Sequence, residues 1–406
     1  MWVSVWACVM DKRWRLYLYV AVVLVSRFGA SLVSPVTPYF VLSLGIDMKT
    51  YGLIGTAARG FSLLMRIPTA ALVPSIGYFR SEGLAIAFLG ASRGLYALSA
   101  ALGGSLVLFA AAYVLSFTQF PFSRVTRVSI VSRYVEAERR STALGVLASL
   151  TTVVTMLGPL LGGYLYEDLS LGFTEVYSVS LLLVVASTPL LVPLVLRDET
   201  ASPGSKAESF VYYVKAMPDL LKAPGLSRAL LILAIDGFAW SLVHDYVSIY
   251  LAEYLDARPT ELALANMVMS GVTLLGFMGA GYVSDRAGCR VPFLVLSEIC
   301  GLAYFTLLVL AGDMTLVYAA YAFMGFTIAF WGPVAVAYMS EIGEKYRSDS
   351  VPLVIGVWGF TSSIARLPGS LIGGYIFDIF GPRFLFELII AMLVVETFLL
   401  TLLREA

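Results

Sequence analysis

The stretch VPFLVLSEICGLAYFTLLVLA, residues 291–311, decides the architecture of this chain. It carries a single charged side chain, Glu298, in an otherwise apolar run. A helix of about 20 apolar residues crosses the hydrocarbon core of a bilayer. A spanning β-strand would show only about ten residues, with alternating polarity. The stretch therefore predicts a membrane-spanning α-helix.

Similar runs recur along the whole chain, in which 59% of the 406 residues are hydrophobic. We predict twelve spans, at residues 16–43, 50–73, 84–102, 105–127, 142–165, 174–196, 226–251, 260–283, 291–311, 315–339, 351–376 and 384–403. An even number of spans places both termini on one side of the membrane. Lys and Arg are concentrated in the segments that share that side, which predicts cytoplasmic termini and a multi-pass protein of the cell (plasma) membrane.

The longest polar segment separates the first six spans from the last six. We predict an N-terminal bundle at residues 1–197, a cytoplasmic linker at 198–225 and a C-terminal bundle at 226–406. The linker begins with a flexible composition and ends in FVYYVKAMPDLLK, which predicts an amphipathic helix on the inner surface. At the N-terminus an apolar segment comes before the basic residues, which is the reverse of the order in a signal peptide. The sequence leaves open whether translation begins at Met1 or Met10.

The two halves are similar to each other in sequence. FGASLV at 28–33 resembles FAWSLV at 238–243, and GGY at 162–164 matches GGY at 373–375. The two pairs are offset by almost the same number of residues, which indicates parallel repeats of six spans. In proteins built from such repeats the solute site lies between the halves, near the middle of the membrane.

The loop after span eight, GYVSDRAGCR at 281–290, is similar to the inner-loop signature G-x-x-x-D-R-x-G-x-R of the major facilitator superfamily. The matching residues, interpreted as a conformational motif, are Gly281, Asp285, Arg286, Gly288 and Arg290. The resemblance extends over essentially the whole chain. It implies an all-α membrane fold of two pseudo-symmetric six-helix bundles that transports a solute by alternating access. The corresponding loop at 76–83 lacks the Asp-Arg pair.

Gly158, Pro159, Gly162 and Gly163 in span five resemble the antiporter signature G-P-x-x-G-G of drug-efflux members, and this resemblance implies proton-coupled efflux. Proline removes a helix hydrogen bond and glycine permits close helix packing, so a bend or hinge is expected. Span eleven carries a related pattern at 368–374, so repeat architecture alone is the alternative explanation. The middle of span four also lacks the arginine that efflux members tend to carry.

Arginines within apolar stretches are concentrated in the first half, whereas acids within such stretches occur only in the second half, by our assignment of the spans. Charged side chains inside a membrane are costly and usually functional. We expect the residues near mid-depth to contact the solute, with the arginines suited to a carboxylate or phosphate: Arg27, Arg59, Arg93, Asp236, Trp240 and Arg366. The three remaining arginines within apolar stretches are predicted to lie at the inner gate: Arg66, Arg124 and Arg127.

Asp236 has a similar depth in span seven to that of Arg27 in span one. Either Arg27 holds an anionic group while Asp236 takes a proton or a cation, or the two form a salt bridge between the halves. Asp236 and Glu298 are the candidates for proton coupling. Glu396 is expected to reach the inner surface from the end of span twelve.

Several classes of function are excluded by missing motifs. No phosphate-binding loop is present, which argues against ATP-driven transport. No metal-ligand cluster or nucleophile triad is recognisable, so we predict no enzyme, no metal and no cofactor. The net charge is zero, which indicates no nucleic-acid partner. The leading prediction is a monomeric, proton-coupled exporter of a small organic solute, and the alternative is an exchanger or importer of organic anions.

Overall fold

The computed structural model describes residues 12–136, 139–201, 225–346 and 351–403. Within these ranges the chain forms fifteen α-helices. They are α1 (Lys12–Ser31), α2 (Thr37–Ser43), α3 (Met48–Ile76), α4 (Tyr78–Ala101), α5 (Leu106–Tyr134), α6 (Arg140–Glu167), α7 (Phe173–Ala186), α8 (Thr188–Leu196), α9 (Leu226–Val243), α10 (Val247–Tyr254), α11 (Pro259–Ala287), α12 (Val291–Leu310), α13 (Met314–Tyr346), α14 (Val351–Arg366) and α15 (Gly369–Thr401). The predicted start at Met1 or Met10 and the predicted linker helix lie outside the described residues.

In these ranges, nine helical segments are long and apolar enough to cross a membrane. One of them, Leu353–Thr401, contains two of the predicted spans, which Gly381 separates with a non-helical backbone (φ 83°) followed by Pro382. Helix α1 with α2, and helix α3, coincide with the first two predicted spans, and α1 and α3 contain arginines within their apolar runs. The helices thus confirm the predicted all-α membrane architecture.

Several spans consist of two helices joined by a short break. Pro35 lies in the turn between α1 and α2, and Pro368 lies between α14 and α15. Proline cannot donate a backbone hydrogen bond, so the helix is interrupted there. At the first break the Val33 carbonyl accepts hydrogen bonds from the backbone N–H groups of Val36 at 3.1 Å and Thr37 at 2.9 Å, and also from the Thr37 hydroxyl at 2.8 Å. Side-chain hydroxyls allow such breaks inside a membrane, where water is not available.

The chain divides into two compact units. The first unit is formed by Met1–Leu44 and Ala57–Glu208, and the second by Gly45–Thr56 and Ser209–Ala406. Each unit has its own core. The core of the first unit includes Tyr19 and Ile130, and that of the second includes Leu294.

Glycines of α6 allow it to pack directly on α1 in the first unit. A Cβ atom on Gly158 would meet the hydroxyl of Ser31, and one on Gly162 would meet the carbonyl oxygen of Leu32. Both glycines are buried. The G-P-x-x-G-G sequence therefore forms a close helix contact in which no side chain fits.

The second unit repeats this contact between α15 and α9. A Cβ atom on Gly369 would meet the hydroxyl of Ser241, and one on Gly373 would meet the carbonyl oxygen of Leu242. These four residues occupy the positions that the sequence repeat assigns to the pair in the first unit. The glycine motif is therefore a packing feature of both repeats and is not specific to one of them.

The start of α3 belongs to the second unit, where an acid of α15 caps it. The Asp378 carboxylate accepts hydrogen bonds from the backbone N–H groups of Met48 at 2.9 Å and Lys49 at 2.7 Å. The first N–H groups of a helix have no partner within the helix, and an acid there also interacts favourably with the helix dipole. Asp378 therefore stabilises the beginning of α3.

Candidate functional site

The first unit contains a cavity of about 290 Å³ between α1, α4, α5 and α6. Its lining includes two arginines, polar side chains that accept hydrogen bonds, and two aromatic rings: Arg27, Arg93, Gln119, Thr155, Phe117 and Phe120. Cavities that bind small molecules are mostly apolar with a few polar groups that orient the ligand. This cavity fits that description, with positive charge at its polar part.

Arg27 of α1 is held in a fixed orientation by α5. Its Nη2 donates to Gln119 Oε1 at 3.2 Å and to Ser123 Oγ at 2.9 Å. The guanidinium carbon lies 5.8 Å from the centre of the Phe120 ring, a cation–π distance. Among the described residues both hydrogen bonds use Nη2, so Nη1 can donate a hydrogen bond to an oxygen atom of a solute.

Arg93 of α4 is buried beside the same cavity. Its Nη2 donates to the carbonyl of Ala30 at 3.0 Å, and its guanidinium lies 5.9 Å from the Tyr96 ring centre. Its Nε has no hydrogen-bond partner within the described parts of the chain. A buried donor without a partner is costly, and an anionic solute would satisfy it.

The other predicted arginines of the first unit lie outside the cavity lining. The Arg59 guanidinium lies 5.5 Å from the centre of the Phe117 ring, and Phe117 lines the cavity. Arg66 and Arg124 are exposed, and Arg127 is partly buried. Their role at an inner gate stays a prediction.

A buried acid in the first unit corrects the expectation that embedded acids occur only in the second half. Glu82 of α4 is 3% exposed, and its Oε1 accepts a hydrogen bond from Ser123 Oγ at 3.5 Å. Ser123 thus bridges Glu82 and Arg27. The predicted span begins at residue 84, which leaves Glu82 in the preceding loop, whereas α4 begins at Tyr78 and includes it.

A helical pattern could have revealed Glu82. Together with Ile86, Leu89 and Arg93 it forms one buried face of α4, at intervals of three or four residues. A face shared by an acid and an arginine at that spacing indicates that both point into the bundle.

In the second unit three carboxyl groups from three helices converge. Asp236 of α9, Glu298 of α12 and Glu396 of α15 each place one oxygen within 4.8 Å of the others. All three side chains are buried, and Glu298 and Glu396 are fully so. The four oxygens of the two glutamates have no hydrogen-bond partner among the described residues. We refer to these three residues as the acid cluster.

Arg366 of α14 is the arginine beside the acid cluster. Its Nη2 lies 3.9 Å from Asp236 Oδ2, and its side chain is 51% exposed. Gly237 lets it approach α9, because a Cβ atom there would lie 3.0 Å from Arg366 Nε. The predicted residues Asp236, Glu298 and Arg366 therefore lie close together. Pairing of Asp236 with Arg27 stays a prediction.

Glu396 was expected to reach the inner membrane surface, and the structure shows that this is wrong. Its side chain is fully buried in the acid cluster. Leu385, Ile389, Leu393 and Leu400 are also fully buried and lie on the same face of α15. Their helical spacing is the signal that could have placed Glu396 in the bundle.

Trp240, predicted to contact the solute, packs between helices of the second unit. Its ring centre lies 5.2 Å from that of Phe305 and 6.4 Å from that of Tyr304. Gly301 provides the space, since a Cβ atom there would lie 3.1 Å from Trp240. These contacts pack the helices together, and the ring N–H of Trp240 also lies within hydrogen-bond reach of the Asp236 carboxylate. Contact with a solute stays a prediction.

The inner-loop signature forms a network of ion pairs in the second unit. Arg290 contacts Asp285 Oδ1 at 2.7 Å and Glu341 Oε1 at 2.9 Å, and its Nη1 donates to Ser284 Oγ at 2.8 Å. Burial alone would lower the pKa of Arg290, but the hydrogen bonds to the two acids raise it above the ordinary value. Gly288 has a left-handed backbone (φ 64°) that ends α11. The network ties the turn to α13; Arg286 is exposed.

Comparison with known proteins agrees with this architecture. The family model of the Major Facilitator Superfamily matches residues 19–351 and also 229–406. Solute carrier family 22 member 18 of Rattus norvegicus is 26% identical over 270 residues, which is 63% of this chain and 62% of that protein. The chain therefore aligns with less than two thirds of that relative.

Two solved structures show the same fold. A bacterial homolog of the human lysosomal transporter Spinster, inward-facing and unoccupied, has a TM-score of 0.70 at 14% identity and covers 96% of both chains. The human organic anion transporter MFSD10 (TETRAN) has a TM-score of 0.63 at 16% identity and covers 96% of this chain and 100% of its own. With the family model matching most of its length, this chain belongs to the major facilitator superfamily.

Proposed function

We propose that this chain is a transporter, and that it couples proton movement to the transport of a small organic anion with an apolar part. The cavity of the first unit carries this proposal, because Arg27 and Arg93 line it together with Phe117 and Phe120. Guanidinium groups suit carboxylates and phosphates, since they offer parallel donors in one plane. The aromatic rings favour a flat or apolar remainder. A cavity of about 290 Å³ limits the solute to a small molecule.

The anion site is organised before the solute arrives. Gln119 and Ser123 hold Arg27 in place, and the Ala30 carbonyl holds Arg93. A preorganised site loses less entropy on binding than one whose long side chains must first be ordered. The fold itself accommodates this class of solute, since MFSD10 is described as an organic anion transporter.

The acid cluster of the second unit supports the proton part of the proposal. Three ionised carboxylates beside one arginine would leave two uncompensated negative charges in a buried region, which is costly. Protons on two of the carboxyl groups would balance the charge. Asp236 lies beside Arg366 and is suited to stay ionised, while Glu298 and Glu396 would hold the protons.

For the direction of transport we keep outward movement in exchange for protons, as the antiporter-like sequence favours. The glycine contact occurs in both units, so it is common to both repeats and does not set the direction of transport. Anion exchange or import remains the second candidate, and the arginines of the cavity favour it equally. In either case we place a monomeric protein in the plasma membrane with cytoplasmic termini, as the distribution of Lys and Arg indicates.

Flux measurements in proteoliposomes test the proposal. A panel of aromatic carboxylates, organic phosphates and hydrophobic cations is offered with and without an imposed pH gradient. We expect the gradient to drive carboxylate flux, and Arg27→Gln and Arg93→Gln to abolish it. Arg383→Gln is the matched control, because Arg383 is exposed and pairs only locally with Glu387.

Three results would decide against parts of the proposal. Gradient-driven flux of hydrophobic cations without carboxylate flux would refute the anion site. Carboxylate counterflow whose rate does not depend on the pH gradient would support exchange without proton coupling. Equal carboxylate flux by both arginine variants and the control would show that the cavity does not hold the solute.

A further inference from the structure

The acid cluster offers more oxygen atoms than its neighbours use. Asp236 has Arg366 beside it, but the four carboxyl oxygens of Glu298 and Glu396 have no hydrogen-bond partner among the described residues. Buried polar atoms in native proteins are nearly always satisfied by protein, water or an ion. Two fully buried and unsatisfied carboxyl groups that face a third acid therefore indicate a missing partner.

The ligand atoms are those that a hard cation prefers. All three groups are carboxylates, and no sulfur or imidazole is part of the cluster. Oxygen-only ligand sets suit Ca²⁺, Mg²⁺ or Mn²⁺ rather than softer metals. The spacing also fits, because two oxygens on opposite sides of a Ca²⁺ ion lie about 4.8 Å apart, twice a bond of about 2.4 Å. The oxygens of the cluster lie within 4.8 Å of one another.

The charge of the site points to a divalent ion. Three carboxylates and Arg366 together carry two uncompensated negative charges when all are ionised. A divalent cation neutralises them, whereas a monovalent cation leaves one.

We propose that Asp236, Glu298 and Glu396 form a binding site for one hard divalent cation, for which Mn²⁺ is the practical probe. The cation and the two protons of the proposed function balance the same two negative charges, so they would occupy the acid cluster alternately. The site deepens the proposed function and rests on it only for the role of the cluster in coupling. Binding of the cation does not depend on the identity of the solute. The sequence predicted no metal site, because the three acids lie on helices that are far apart in the chain.

Titration of the purified full-length protein with Mn²⁺ at neutral pH, followed by electron paramagnetic resonance, tests the site. We expect one saturable equivalent per chain that Ca²⁺ displaces. Glu298→Gln and Glu396→Gln should each weaken binding at least about ten-fold, since even outer-shell changes cost that much. Glu387→Gln is the matched control: it lies on the same helix as Glu396, is half exposed and should bind as the unmutated protein does.

Water proton relaxation gives a second measurement that needs no variant. A Mn²⁺ ion held by three buried carboxylates keeps few water ligands, whereas an ion on the protein surface keeps most of its shell. The proposal is overturned if Mn²⁺ does not saturate, if the bound ion stays fully hydrated, or if both glutamine variants bind like the control. The first result, combined with pH-driven flux, would show that the cluster holds only protons. Saturable binding without pH-driven flux would contradict the proposed function and leave the cation site in place.

Discussion

Replacement of Arg27 by glutamine is expected to weaken binding of an organic carboxylate while leaving the cavity in place. Glutamine retains hydrogen-bonding groups near Gln119 and Ser123 but removes the positive charge. The change also removes the cation that Ser123 links to the buried carboxyl of Glu82. Two effects are therefore combined in this variant, the loss of a solute contact and the loss of charge balance in the bundle.

The structure allows the two effects to be estimated separately. A hydrogen bond to a charged group contributes about 1.5–3 kcal/mol, so the loss of one arginine contact should weaken affinity about 10- to 150-fold. Glu82 is fully enclosed and interacts with Arg27 through one bridging hydroxyl, and coupling within such a network is about 0.5–3 kcal/mol. The single variant should therefore be less stable than the unmutated protein. The double variant Arg27→Gln/Glu82→Gln should recover that stability but not the affinity.

Isothermal calorimetry with an aromatic carboxylate measures the affinity, and thermal unfolding in the same detergent measures the stability. Glu82→Gln alone serves as the control and should bind the carboxylate at least as tightly as the unmutated protein, because a nearby negative charge is removed. Recovery of affinity in the double variant would refute the reasoning, since Arg27 would then act only by balancing Glu82. Unchanged affinity in Arg27→Gln would refute the assignment of the site.

Three further predictions concern the second unit. Asp236→Asn should abolish flux driven by a pH gradient while the protein stays folded, because it removes the negative charge that balances Arg366 when Glu298 and Glu396 hold protons. Proteoliposome flux and size-exclusion chromatography measure this, and gradient-driven flux at the unmutated rate would contradict the proposed coupling. Gly373→Ala should lower the thermal unfolding temperature, because the added Cβ would collide with the backbone of α9. Gly359→Ala is the control and should not lower it, since nothing lies within 4 Å of the Cβ position there. Equal shifts in the unfolding temperature would contradict the packing argument. Asp378→Ala should destabilise the protein by about 0.5–2 kcal/mol through loss of the cap of α3, and an unchanged unfolding temperature would show that the cap contributes nothing.

The fold could be predicted because the evidence for it is local. Each span is a run of apolar residues whose length matches the membrane, and its breaks coincide with residues such as Pro35 and Pro368. The internal repeat indicated two related halves, and the loop around Asp285 indicated the family. None of these features depends on which residues meet in space.

The candidate sites were predicted less completely. Arg27, Arg93, Asp236 and Glu298 could be named because a charge inside an apolar run is conspicuous. Glu82 was missed because the start of α4 was placed too late, and a boundary is the least reliable part of such a prediction. Glu396 lies near the end of the last span, so its side chain was expected to extend to the membrane surface. It lies instead on the buried face of its helix.

The membrane-spanning helices, their repeat and the charged residues within the apolar runs can be recognised in the amino-acid sequence. Which of these charges lie together is seen only in the folded chain, where Ser123 links Glu82 to Arg27, and Glu396 lies beside Asp236 and Glu298. This difference arises because lipid tails are as apolar as the interior of a helix bundle. The face that a helix turns toward its neighbours therefore carries little hydrophobic signature in the sequence, and packing against the other helices decides it.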